Sequence, residues 1–223
     1  MRLSGRVVAL LAGLVATPLT GCASHQHDAT ARHSFADVAQ WVSVFDDPER
    51  DAWQKPADVI AALQLQPGQN AADLGAGTGY FVPYLSRAVG PQGKIFAVDT
   101  EPNLITHLRQ RAQREGLDNV VPVLATPDDS HLPTASIDLV LIVDTIHHID
   151  NRVDYLGHMR ACLRGGGHVV VVDWKKEAQP IGPPLEHRLA RALVVEEFDA
   201  AGYTLAGEPN LLPYQYVLVF ALH

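Results

Sequence analysis

The chain has 223 residues, 47% of them hydrophobic, and a formal net charge of -8. That length and apolar content fit one domain with a buried core. The acidic balance argues against nucleic acid held by a basic field, and two cysteines, Cys22 and Cys162, are too few for a disulfide framework or a Cys-rich zinc site.

At the N-terminus Arg2 and Arg6 precede an apolar run at 7–15, and Thr17-Pro18-Leu19-Thr20-Gly21-Cys22 follows. A short basic segment, an apolar segment and small residues make the pattern of an export signal. The run is short for a membrane span. Leu19-Thr20-Gly21-Cys22 resembles a bacterial lipobox. That resemblance implies a signal peptide at 1–21 and a lipid on Cys22 that anchors the protein to the cell envelope. Ala23 occupies the place where an Asp would signal inner-membrane retention in a Gram-negative sorting scheme, which points to the outer membrane. If the run is not a signal, the chain is cytoplasmic. Residues 22–33, with His25, His27 and His33, read as a polar tether rather than a metal-binding tail, and no metal site is expected. The domain proper is 34–223.

Phe35, Val38, Ala39 and Val42 fall on one helical stripe, and Pro56 opens a second helix carrying Val59, Ile60 and Leu63. Strands and helices then alternate. Strands are predicted at 70–74, 94–98, 120–124, 137–143 and 168–172, and helices at 80–89, 103–115 and 153–163. Residues 164–167 read as a turn, 185–200 as mostly helical, and 203–206 and 215–220 as two closing strands. The run at 137–143 is nearly all apolar, as in a central parallel strand covered on both faces. The series predicts an α/β fold, a doubly wound Rossmann-like sheet of seven mostly parallel strands with a terminal antiparallel hairpin. Cys162 reads as a small buried hydrophobe in a helix.

The central feature is Ala71-Ala72-Asp73-Leu74-Gly75-Ala76-Gly77-Thr78-Gly79-Tyr80-Phe81, a strand that runs through glycines into a helix. Glycine allows the tight turn and lets backbone approach a ligand. No Lys-Ser or Lys-Thr follows, so a phosphate-cradling P-loop is excluded. The stretch resembles motif I of class I S-adenosylmethionine-dependent methyltransferases. The resemblance implies that Asp73, Gly75, Gly77 and Gly79 hold the amino-acid part of that cofactor. Asp99 ends the second strand twenty residues beyond Gly79, where a carboxylate accepts both ribose hydroxyls. Asp128 or Asp129, just past the third strand, is expected near the adenine amino group, with Asp128 preferred. Asp138 reads as structural, and Leu163-Arg164-Gly165-Gly166-Gly167 resembles the family's turn before strand five. The resemblance covers about residues 55–220 and is closest to small-molecule methyltransferases.

Asp144, His147 and His148 follow the fourth strand, at the sheet end where open α/β folds bind ligands. Either histidine is a candidate general base, and Asp144 a candidate to orient it or a polar acceptor. Trp174, His187 and Arg188 are candidates for the acceptor side, the last two for an anionic group, and Trp53 and Tyr80 are candidates for lining the cofactor mouth. The Asp/Asn-Pro-Pro-aromatic pattern of amino-directed nucleic-acid methyltransferases is absent after strand four. The expected function is methyl transfer from S-adenosylmethionine to a small-molecule acceptor. The alternative is a catalytically silent ligand-binding lipoprotein on the same fold, because the methyl donor is made in the cytoplasm and the export signal points outward. An NAD-linked oxidoreductase is disfavoured by the Gly-x-Gly-x-Gly spacing.

Overall fold

A computed structural model describes Phe35 and residues 37–223. The signal-like segment 1–21 and the tether 22–33 lie outside the described residues.

Three short helices come first: α1 (Val38–Phe45), α2 (Arg50–Gln54) and α3 (Pro56–Ala62). The alternating series follows as β1 (Ala71–Leu74), α4 (Val82–Val89), β2 (Ile95–Asp99), α5 (Pro102–Glu115), β3 (Val120–Leu124) and β4 (Ile137–Val143). The chain closes with α6 (Arg152–Met159), β5 (Leu163–Trp174), α7 (Arg191–Ala200), β6 (Tyr203–Gly207) and β7 (Gln215–Leu222). The seven strands form one sheet in the order β3-β2-β1-β4-β5-β7-β6, parallel except where β7 pairs antiparallel with β5 and β6. This is the fold class read from the sequence.

Apolar faces of the helices cover both sides of the sheet. On one side α3, α4 and α5 bring Val59, Leu85 and Leu108 onto Ala71, Ile95 and Leu141. On the other, α6 and α7 bring Leu156 and Phe198 onto Val140, Val169 and Phe220, with Phe198 and Phe220 stacked 3.9 Å apart. Leu139 through Ile142 are wholly buried, as a central parallel strand requires. Asp138 has the structural role expected of it. Its carboxylate accepts the Asn70 N–H at 2.7 Å and an Arg164 N–H at 2.8 Å, tying the starts of β1, β4 and β5 together.

Three local expectations are corrected. The glycines at 165–167 do not make a separate turn. They lie inside β5, opposite a register shift between Ile137 and Leu139 on β4. A Cβ on Gly167 would sit 3.0 Å from the carbonyls of Arg164 and Ile137, so the irregular pairing needs a residue without a side chain. The helix predicted at 153–163 ends at Met159 and tightens into a 3-10 turn at Arg160–Cys162; Cys162 is buried there as a hydrophobe. The stretch 185–200 divides into a 3-10 turn, Leu185–His187, and α7. Among the described residues no helix is long and apolar enough to cross a membrane.

Candidate active site

From β1 the chain winds outward through β2 and β3, then returns to place β4 on the other side of β1. The reversal opens a crevice at the carboxyl ends of β1 and β4, the usual ligand site of such sheets. A cavity of about 910 Å³ occupies it, at the upper end of the range for small-molecule sites.

The loop after β1 forms its floor. Gly75 has φ +76, and a Cβ there would lie 2.2 Å from the Thr145 hydroxyl; Gly79 has φ +90, and its Cβ would meet Leu108 at 2.7 Å. Both left-handed conformations and both contacts demand glycine. The N–H groups of Gly75 and Ala76 donate to the Val98 carbonyl at 2.8 and 2.9 Å, which staples the loop to β2. The Gly77 N–H donates to Asp99 at 2.8 Å, and the other oxygen of Asp99 takes the Glu101 N–H at 3.0 Å. Asp99 therefore fixes the loop while still lining the cavity.

Asp73 also lines the cavity, 3% exposed, with no hydrogen-bond partner among the described residues. Burial pushes its carboxyl up to about 7 against the pull of Arg50, and the Asp99 charge adds to the rise. Burial also raises Asp99, although backbone N–H groups at Glu101 and Gly77 resist it. An acceptor-only group buried without a donor is costly, and a cationic ligand group is what would satisfy it.

Across the crevice the two histidine rings lie 4.2 Å apart in different surroundings. His147 is 4% exposed, and its Nδ1 lies 2.9 and 3.0 Å from the two oxygens of Asp173, which is wholly buried at the end of β5. A carboxylate only accepts, so Nδ1 carries the proton and Nε2 is the basic nitrogen of the neutral ring. Burial alone would lower the His147 pKa; the charge and hydrogen bond of Asp173, joined by Asp144, raise it above the usual histidine value. His148 is exposed at the cavity mouth, edge-on to Phe35 with centroids 5.9 Å apart.

Asp144 does not orient the histidine by a direct bond; Asp173 does. Asp144 accepts from Gln215 at 2.5 Å and meets Arg50 at 3.5 Å, with its backbone at φ +51. Burial pushes its carboxyl upward, with Arg50 opposing. Asp128 is not brought to the cavity. It is exposed and accepts from the Thr126 hydroxyl at 2.7 Å, while Thr126 and Pro127 line the cavity. The short Thr126–Asp129 bridge turns the loop so that its acidic tips face solvent. Gly79 likewise stands behind the cavity wall, against α5. Arg188 is not available to an anionic acceptor. It is 4% exposed, and every guanidinium nitrogen donates within its own loop, to the carbonyls of Lys175, Glu177, Ile181 and Pro183 and the Gln179 side chain. His187 does line the cavity.

The sequence reading caught only part of the cover. α1 lays Trp41 and Phe45 over the cavity, with ring centroids 5.0 Å apart. The predicted stripe included Phe35, which lines the cavity and packs on Trp41 at 4.7 Å, but otherwise selected the neighbours of the covering residues. Asp46 then pins α1 to the glycine loop through the Thr78 hydroxyl (2.8 Å) and Arg111 (2.9 Å). From α2, Arg50 and Trp53 enter the cavity, and Trp53 packs on Trp174 at 5.1 Å.

With this geometry in place, residues 72–169 match a family model described as a methyltransferase domain. The chain is 28% identical over 121 residues to a demethylmenaquinone methyltransferase of Geobacillus stearothermophilus, covering 54% of this chain and 51% of that one. It is 27% identical over 160 residues to the ubiquinone/menaquinone biosynthesis C-methyltransferase UbiE of Ralstonia pickettii, covering 70% of this chain and 61% of that one. The chain thus spans about half the length of the curated relatives it matches. A solved SAM-dependent methyltransferase from Aquifex aeolicus superposes with TM-score 0.80 at 23% identity, over 86% of this chain and all of that one. The [4+2]-cyclase SpnF shares the fold at TM-score 0.60 and 18% identity, over 70% of this chain and 58% of that one. The fold alone therefore does not dictate the reaction.

Asp73 makes a testable contribution to stability. Between pH ~4 and ~7 the unfolded chain has released its proton while the folded chain keeps it, so stability falls as pH rises, by up to about 1.4 kcal/mol per unit. In urea unfolding of the ligand-free protein from about pH 5 to about pH 8, Asp73→Asn is expected to gain on wild type as pH rises. Parallel stability curves for the two proteins would contradict the burial argument.

Proposed function

We propose that this chain is an S-adenosylmethionine-dependent methyltransferase acting on a small-molecule acceptor, with His147 as general base. The observation that carries the reading is the convergence of two carboxylates and a buried histidine–carboxylate pair on one cavity. Asp73 and Asp99 end adjacent strands beside the glycine loop, and His147–Asp173 faces them across the sheet reversal.

The residues fit the cofactor by charge and by shape. Asp73 offers an acceptor to the ammonium group and Asp99 to the ribose hydroxyls, while Gly75 and Gly77 bring backbone without a side chain to the cavity wall. S-adenosylmethionine supplies an electrophilic methyl group on a sulfonium, which is the demanding part of the chemistry. The protein's share is to align the acceptor and remove its proton. Nε2 of His147 takes the proton as the acceptor atom becomes nucleophilic. Asp173 keeps the proton on Nδ1, holds the ring and stabilises the imidazolium that forms. The side chains of Trp41, Phe45, Trp53 and Trp174 wall the acceptor space and exclude water, and they suit a flat, apolar acceptor. Relatives named for quinone methylation support an acceptor of that kind.

The lipid anchor belongs to the same proposal. It is supported by Arg2, Arg6, the apolar run at 7–15 and Leu19-Thr20-Gly21-Cys22. It places the domain at the cell envelope on a short polar tether.

In a labelled-methyl assay over phenols, quinols and small metabolites, His147→Ala is expected to lower kcat by about 10²- to 10⁴-fold, the usual worth of a positioned base. The wild-type rate should rise with pH through a pKa above the usual histidine value, because the base must be neutral. Asp173→Asn should move that limb to lower pH, and His148→Ala should alter KM more than kcat. Full activity in both His147→Ala and His148→Ala would remove the base from the mechanism. For the anchor, labelled palmitate should enter the wild-type chain in a bacterial host and not Cys22→Ala. Equal labelling of the two, or none in wild type, would count against it.

A further inference from the structure

We infer that Arg50 is the carboxylate-binding residue of the site, and that with Asp73 it reads the cofactor's α-amino acid end as a zwitterion. The inference rests on the cofactor reading above. That cofactor carries a carboxylate into a cavity already lined by six Asp or Glu residues, Asp73, Asp99 and Asp144 among them. An anion among these carboxyl groups needs a fixed positive charge, and Arg50 is the one Lys or Arg side chain lining the cavity among the described residues.

The glycine loop does not substitute for it. The backbone N–H groups of Gly75 and Ala76 donate to the Val98 carbonyl, that of Gly77 to Asp99 and that of Gly79 to the Ala76 carbonyl. Four of the five N–H groups from Gly75 to Gly79 are thus engaged within the protein. The loop is shaped for close approach rather than for anion binding.

Arg50 is built for the task. Its side chain is 12% exposed, and its guanidinium lies 4.2 Å over the Tyr80 ring. Nε and Nη2 donate to Gln54 at 3.3 and 3.1 Å, and Nη1 donates to the Phe45 carbonyl at 3.1 Å. Gln54, wholly buried, is itself fixed by a 2.7 Å bond to Gln215. One Nη1 N–H then has no partner among the described residues, and the 3.5 Å bond from Nη2 to Asp144 is the longest of Arg50's hydrogen bonds among them. The Arg50 charge already acts on Asp73. Both side chains line the same cavity, so it offers a cation to the carboxylate and a carboxyl group to the ammonium of an amino-acid zwitterion. Arg50 lies outside the segment matched by the methyltransferase family model.

Calorimetric titration with S-adenosylhomocysteine and S-adenosyl-3-thiopropylamine tests this, because the second ligand lacks only the carboxylate. Wild type is expected to bind the first about ten- to hundred-fold more tightly, the scale of a charge-assisted hydrogen bond. Arg50→Gln should lose most of that preference by weakening S-adenosylhomocysteine alone, and Arg50→Lys should retain part of it. The wild-type comparison needs no variant, so equal binding of the two ligands overturns the inference even if Arg50→Gln fails to fold. Equal weakening of both ligands in Arg50→Gln overturns it as well and leaves Arg50 a scaffold role. Failure of wild type to bind either ligand overturns the cofactor reading itself.

Discussion

A carboxylate buried near the end of β1, with no hydrogen-bond donor among the described residues, is the constraint around which the site is organised. A group that only accepts cannot satisfy itself in the interior, and the cost of ionising it there shows in the upward pKa of Asp73. A fold keeps such a group when a ligand satisfies it. The glycine loop depends on the same corner. Asp99, one strand over, holds the loop backbone through Gly77, and both carboxylates line the cavity beside that loop. Removing either carboxylate changes both the shape and the charge of one surface.

The other half of the cavity is tied to this corner through polar side chains that share partners. Arg50 meets Asp144 and its charge acts on Asp73, Gln215 joins Asp144 to Gln54, and Asp173 holds His147. These groups come from α2, β4, β5 and β7, so the sheet reversal and the N-terminal helices must both be in place before the charges balance. The aromatic cover from α1 then walls part of the site with apolar rings. The Asp46–Thr78–Arg111 contacts make the cover part of the cofactor loop rather than an independent flap.

The sheet was legible in the sequence because its signals are local. An apolar run such as 137–143 or a Gly-x-Gly-x-Gly turn carries its own period and stereochemistry. Asp73 and Asp99 were legible for the same reason, since the end of a strand fixes where a side chain faces. What the sequence did not disclose depends on long-range packing. Asp173 pairs with His147 across 26 residues, and Arg50 meets Asp144 across 94; no spacing encodes either contact. Asp128 and Arg188 read as ligand-facing by position, yet loop geometry turned one to solvent and buried the other. The glycines at 165–167 look like a turn by composition and become a bulged strand only when β4 lies alongside.

The most direct test is a crystal structure of the domain with S-adenosylhomocysteine. The ribose hydroxyls are expected within hydrogen-bond distance of Asp99, and the ammonium group beside Asp73. The sulfur should point across the sheet reversal toward His147. An empty cavity at saturating ligand, or a ligand bound away from both carboxylates, would contradict the account.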